Sequence, residues 1–105
     1  MKNITLIALL LPLAAFAADA DYTLVISGHR FQPAELTVPA GKKIKLLIEN
    51  QDDTPEEFDS HALNREKVIV GNGHAILYIG PLDPGRYPFI GEFHESTAHG
   101  AIIAR

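Results

Sequence analysis

The fold is decided by residues 84–104, which read PGRYPFIGEFHESTAHGAIIA. The Pro84-Gly85 pair predicts a tight turn, because proline fixes φ and glycine tolerates positive φ. Tyr87 and Phe89 are two residues apart, so they share one face of the strand that follows. A loop with two histidines and a short apolar strand complete the stretch. It therefore predicts a turn, a strand, a polar loop and a final strand.

Upstream of this stretch, short segments of alternating apolar and polar residues recur between turn signals. The predicted strands are residues 22–27, 35–38, 42–49, 66–70 and 74–79, with a further extended piece at 56–60. Short strands separated by turns at intervals of about 8–12 residues are typical of an all-β sandwich or barrel. The run Leu82 to Tyr87 resembles a tyrosine corner, in which the phenol hydroxyl bonds back to nearby backbone.

Residues 1–17 have the pattern of a secretory signal peptide. Lys2 supplies the positive charge, and residues 4–13 form an apolar stretch that is followed by a small-residue Ala-Phe-Ala site. That stretch is too short to cross a membrane comfortably. We predict a signal peptide at 1–17, with cleavage after Ala20 as the alternative, and one periplasmic domain at 18–105.

The composition excludes several classes of function. The 105 residues include no cysteine, and the one methionine is Met1. Without a thiol there is no disulfide, no zinc ribbon, no thiol catalysis and no thiolate-bound blue copper. The net charge of −4, without a basic cluster, argues against nucleic acid as a partner.

The C-terminal stretch resembles the signature of the cupredoxins, a family of copper proteins. The shared pattern is Pro-Gly-x-Tyr-x-Phe, then a histidine loop, a glycine and an apolar strand. In that family the loop usually reads Cys-x2-His-x4-Met, and those three residues hold copper. Gly91 stands at the cysteine position here, His94 at the histidine position and His99 at the methionine position. The resemblance implies an all-β, cupredoxin-like Greek-key β-sandwich.

The resemblance also implies carboxylate ligands. Placing Phe58 on the family's phenylalanine puts Glu56 at the position of the first histidine ligand, and a slip of one residue puts Glu57 there. Glu92 is a further candidate ligand or neighbour. His94 and His99, with one or two of these three carboxylates, would hold one metal ion, copper or iron. Such a nitrogen and oxygen set suits Cu(II), Fe, Zn or Mn.

Two short motifs narrow the resemblance. Thr-Pro-Glu-Glu-Phe-Asp-Ser at 54–60 and Gly-Glu-Phe-His at 91–94 are similar to the Cys-free EfeO-type cupredoxin-like proteins, which accompany bacterial iron permeases. The resemblance implies a metal-binding protein that assists iron or copper transport. Its partners would be an inner-membrane iron permease and a periplasmic iron-binding protein. A ferroxidase-type enzyme, which oxidises Fe(II), is an open alternative.

A second alternative is an interaction module without a metal. In that interpretation the acidic loop residues and Phe93 dock a partner on the rim of the sandwich. His29 follows a glycine at a strand end and is predicted to be a turn or rim residue. His61 lies just after the acidic loop, where it could reach a metal. The sequence leaves these alternatives open.

Overall fold

The structure, a computed structural model, describes residues 19–105, which form nine strands and one 3-10 turn. The strands are β1 (Tyr22–Ser27), β2 (Arg30–Gln32), β3 (Glu35–Val38), β4 (Ile44–Asn50), β5 (Glu56–Ser60), β6 (Arg65–Ile69), β7 (His74–Ile79), β8 (Gly85–Gly91) and β9 (His99–Ala104). The 3-10 turn, η1 (Glu92–His94), lies between β8 and β9.

The strands form two sheets. One has four strands in the order β2-β1-β4-β7, and the other has five in the order β3-β9-β8-β5-β6. The β1–β4 and β3–β9 pairs are parallel, and the other pairs are antiparallel. Because neighbours in a sheet are often distant in sequence, the chain crosses repeatedly between the sheets. The prediction of an all-β sandwich is confirmed.

Alternating side chains build the core between the sheets. Ile44, Leu46 and Ile48 of β4 are buried, as their spacing predicts. Phe58 and Phe89 come from adjacent strands of the other sheet, and their ring centroids are 4.9 Å apart. These aromatic rings lie two residues along the strands from Glu56 and Gly91, so the core directly supports the end of the sandwich where the candidate site is found.

The tyrosine corner predicted for Leu82 to Tyr87 is confirmed. The Tyr87 hydroxyl donates a hydrogen bond of 2.7 Å to the backbone carbonyl of Asp83. This bond joins the turn before β8 to the strand itself. The corner therefore fixes the start of β8, and the strand ends at Gly91 in the candidate site.

Three details differ from the expected elements. β2, which contains Phe31, is not among the predicted strands, and it forms because it pairs with β1. β4 begins at Ile44, two residues later than predicted, and extends one residue beyond the predicted end to Asn50, because Asn50 also pairs with Ile26. β6 lies one residue earlier than expected, at Arg65–Ile69. In each case, pairing with a neighbouring strand sets the boundary.

The predicted signal peptide, residues 1–17, lies outside the described residues. In the part of the chain that the structure describes, no helix has the length and apolar character needed to cross a membrane.

Candidate functional site

Glu56 is a buried acid at the end of the sandwich. It is the first residue of β5, where it shares the inward face with Phe58 and Ser60, and it is 1% exposed. One carboxylate oxygen, Oε1, accepts the backbone N–H groups of Glu57 (2.9 Å) and Phe93 (2.8 Å). The other oxygen, Oε2, lies 2.7 Å from Nδ1 of His94. Both oxygens of this side chain thus have the hydrogen-bond partners that a buried polar group requires.

Gly91 makes room for this carboxylate. A Cβ atom at position 91 would lie 2.6 Å from Cδ and 2.7 Å from Oε2 of Glu56, and 2.7 Å from Cβ of Ala98. Such distances are far shorter than ordinary carbon contacts. Position 91 corresponds to the family's cysteine in the register given above. The Glu56 carboxylate therefore fills space beside the backbone that a side chain at residue 91 would need.

His29 lies against the same site, which the sequence did not indicate. Its ring stacks on the ring of His94, with centroids 3.6 Å apart and an angle of 12° between the planes. His29 has a φ of +59°, in the left-handed region. Asp52 supports this backbone by accepting the N–H groups of Gly28 (2.8 Å) and His29 (2.9 Å). The prediction that His29 is a turn residue is correct. Its contact with His94 depends on the hydrogen bonds from this turn to Asp52, which is distant in the sequence.

Asp52 and Asn50 organise the loop under His29. The N–H of His29, together with that of Gly28 and the charges of nearby imidazoles, holds the pKa of the Asp52 carboxyl below its ordinary value, although burial opposes the shift. Asn50 is 2% exposed, and its side-chain oxygen accepts the N–H of Asp52 at 3.0 Å. Its amide nitrogen donates to the backbone carbonyl of Thr54 at 2.8 Å. The loop that carries Asp52 is therefore fixed from the core.

His99 and Glu57 lie on the opposite face of the five-stranded sheet. His99 pairs with Ile90, whose neighbour Phe89 points into the core, so the His99 side chain points outward and is exposed. The inward position beside Gly91 is taken by Ala98, which is fully buried. Glu57 alternates with Glu56 and therefore also points outward.

Glu92 belongs to a group of carboxylates on this outer face. A hydrogen bond with Asp59, followed by desolvation and repulsion from Glu95, Asp59 and Glu57, raises the pKa of the Glu92 carboxyl. The perturbing groups are thus acids. Glu92 contributes to a negative surface beside η1 and is not drawn toward the buried Glu56.

We expect Glu92→Gln to stabilise the protein slightly at neutral pH. The raised pKa means that ionised Glu92 is less favourable in the folded state than in the unfolded state. This cost is present above the raised pKa and disappears as the pH falls through it, so the advantage of the variant should shrink toward about pH 4. Urea unfolding at several pH values measures the effect.

The matched control for this substitution is Glu35→Gln. Glu35 is an exposed acid with a cation partner, Arg86 at 2.6 Å, so its neutralisation should give no gain. A Glu92→Gln midpoint that is unchanged or lower at neutral pH would contradict the expectation.

Of the five predicted ligands, the structure brings together Glu56 and His94. Within residues 19–105, no group of three or more His, Cys, Asp or Glu side chains is arranged to hold a metal ion. The set does not fit a blue copper ion, which needs a thiolate, and Glu56 fills the space beside residue 91. The site offers one imidazole nitrogen and one carboxylate oxygen, close to solvent because the His94 side chain is 25% exposed.

Comparison with known proteins identifies the family. A model of the cupredoxin-like domain matches residues 3–104, so the chain belongs to the cupredoxin-like family. An uncharacterized protein of Rickettsia prowazekii (strain Madrid E) is 45% identical over 83 residues. The match covers 79% of this chain and 66% of that relative, just under two thirds of its length.

Solved structures agree on the fold. Auracyanin A, a "blue" copper protein from Chloroflexus aurantiacus, superposes with a TM-score of 0.68 at 15% identity, covering 79% of this chain and 96% of that one. Amicyanin from Paracoccus versutus superposes with a TM-score of 0.65 at 18% identity, covering 84% and 83%. At these identities the likeness concerns the cupredoxin sandwich alone.

Proposed function

We propose that this protein is a periplasmic metal carrier that binds an iron or copper ion as cargo through Glu56 and His94. The observation that supports the proposal is the 2.7 Å approach of His94 Nδ1 to Glu56 Oε2 at the end of the sandwich. An imidazole nitrogen and a carboxylate oxygen are common donors for Cu(II), Fe(II) and Zn(II). The resemblance to EfeO-type proteins supports a place beside an inner-membrane iron permease and a periplasmic iron-binding protein.

Two protein donors favour transfer over permanent retention. Structural metal sites in proteins are closed by four protein ligands, whereas open sites keep positions for other groups. An ion held by Glu56 and His94 would have its other positions taken by water, and a partner could replace that water. The absence of a thiolate argues against the electron transfer of blue copper proteins. We therefore favour hand-over of a metal ion to a transport partner.

The chain's residues have distinct parts in this proposal. Glu56 supplies Oε2, while its Oε1 stays bonded to the N–H groups of Glu57 and Phe93, which fixes the carboxylate. His94 supplies Nδ1 from the end of η1. A metal ion bound by Nδ1 and Oε2 would displace the proton of the hydrogen bond between them and release it to solvent, so binding should weaken as the pH falls.

Calorimetric titration of the tag-free protein with Cu(II), Fe(II) and Zn(II) tests the proposal. We expect one equivalent of at least one of these ions to bind, with a Kd on the order of 10 μM. His94→Ala and Glu56→Gln should each weaken binding by at least about tenfold. His99→Ala and Glu57→Gln are matched controls on the outer face and should leave the affinity unchanged.

Two outcomes would reject this assignment. Binding no tighter than about 1 mM for all three ions would remove the carrier function. Loss of binding in His99→Ala as large as in His94→Ala would place the site elsewhere.

One observation favours the second candidate, a docking module without a metal. Phe93 is a large apolar side chain that is 48% exposed. In the sequence it lies between two exposed acids, Glu92 and Glu95, and directly before His94. Its backbone N–H donates a hydrogen bond to Glu56, so the backbone that carries the exposed ring is fixed. This candidate predicts that Phe93→Ala abolishes transport-linked growth in low iron, whereas His94→Ala leaves growth unchanged. The carrier proposal predicts that His94→Ala abolishes it.

A further inference from the structure

The backbone of His29 is held in an unfavourable conformation by several separate contacts. A φ of +59° is uncommon for residues other than glycine, although histidine tolerates it better than bulky residues do. Its N–H and that of Gly28 bond to Asp52, and its carbonyl accepts the hydroxyl of Thr97 at 2.6 Å. Backbone strain that the surroundings enforce in this way is typical of functional sites.

These contacts place the His29 ring flat on the His94 ring. The centroids are 3.6 Å apart and the planes are nearly parallel, at 12°. The nitrogen lone pairs of an imidazole lie in the plane of its ring, so two parallel rings direct them along separate planes and not toward one point. In this arrangement His29 does not face the space between His94 Nδ1 and Glu56 Oε2. Its position suits support of the neighbouring ring and does not suit binding of the same ion.

His94 needs such support. It lies at the end of a one-turn 3-10 helix, and no residue of that turn is buried. Glu56 fixes one edge of the ring through Nδ1, but a single hydrogen bond leaves rotation about that edge free. A planar group against the ring face removes this freedom. The Thr97 hydroxyl also joins the His29 turn to the loop that follows η1.

We infer that His29 is a positioning residue, which the Asp52 turn holds against His94 so that Nδ1 of His94 stays directed at Glu56. The benefit for metal binding rests on the carrier function proposed above. Ordering the ring before binding removes part of the entropy cost of binding. The ordering of His94 itself is a property of the metal-free protein and can be measured without any metal.

Three substitutions separate the possible roles. His29→Ala removes the ring, His29→Phe keeps a flat ring without nitrogen atoms, and Asp52→Ala keeps His29 but removes the support of its turn. Unfolding curves first establish that each variant folds. We expect His29→Ala and Asp52→Ala to weaken Cu(II) or Zn(II) binding about three- to tenfold, whereas His29→Phe retains most of the affinity.

The metal-free readout is the NMR signal set of the His94 ring. In the parent and His29→Phe, the stacked ring should give shifted, sharp resonances with one dominant tautomer. In His29→Ala and Asp52→Ala, these signals should move toward the values of an exposed histidine. If the parent binds no metal, the carrier function fails, but this measurement still decides the role of His29.

Other results would overturn the inference. If His29→Phe loses as much metal affinity as His29→Ala while its His94 signals stay unchanged, then the His29 nitrogen is itself a ligand. If His29→Ala leaves both the His94 signals and the affinity unchanged, then the stack does not position His94.

Discussion

Replacing Glu56 with alanine is expected to lower the free energy of unfolding by about 3 kcal/mol, because the truncation leaves three groups without their partner. The N–H groups of Glu57 and Phe93 lose Oε1, and His94 Nδ1 loses Oε2. The Glu56 side chain is 1% exposed, so water does not easily replace the lost acceptor. Urea unfolding at pH 7 measures the change.

Two further variants separate the causes. Glu56→Gln keeps an oxygen for the backbone N–H groups but replaces Oε2, which faces His94, with an amide group, so about 1 kcal/mol should be lost. Glu57→Ala is the matched control: it removes the adjacent, outward acid, and its effect should stay within about 0.5 kcal/mol. If Glu56→Ala costs no more than Glu57→Ala, the buried carboxylate does not stabilise this end of the sandwich.

Much of the fold can be predicted from the sequence because alternation is a local property. Every second residue of β4 from Ile44 to Asn50 is buried, with Leu47 buried in addition, and turn residues separate most strands. The tyrosine corner is also encoded locally, since its bond spans four residues. β2 is the exception. It has three residues, which is too short for alternation to be visible, and it forms only through pairing with β1.

The candidate site is predicted less completely, for reasons that differ by residue. Alternation with Phe58 could have placed Glu56 inside and Glu57 outside, because Glu56 and Phe58 are two residues apart. The same rule, applied backward from Ile102, puts Ala98 inward and His99 outward. The ligand prediction used residue spacing within the family motif and did not apply this rule. It therefore grouped residues that lie on opposite faces of the sheet.

His29 could not have been placed in the same way. Its contact with His94 joins residues 65 positions apart in the chain, and it depends on the left-handed backbone at His29. That conformation is held by Asp52, which belongs to a third segment. The signal available in the sequence was weak: a Gly-His pair at a strand end and an aspartate in a distant loop. Only the packing of the two sheets brings these segments to one site.

Gly91→Ala is expected to destabilise the protein by about 2–3 kcal/mol, a large effect for one added methyl group. The new Cβ would lie 2.6 Å from Cδ of Glu56 and 2.7 Å from Cβ of Ala98, and both neighbours are buried. Glu56 cannot move aside without breaking its hydrogen bonds, and Ala98 has no rotamer to change. Gly85→Ala is the matched control in the same strand, because its Cβ would meet Tyr87 at an ordinary 3.7 Å.

A double-mutant cycle shows whether the Glu56 carboxylate and a side chain at residue 91 compete for one space. Glu56→Ala removes the carboxylate, so Gly91→Ala should cost at least about 1 kcal/mol less in that background than in the parent. Unfolding free energies of the four proteins give this coupling directly. An equal cost in both backgrounds would mean that Ala98 or the backbone causes the clash. A large coupling would mean that the buried Glu56 carboxylate and a side chain at residue 91 exclude each other. That exclusion accounts physically for glycine at the position where the family has its cysteine.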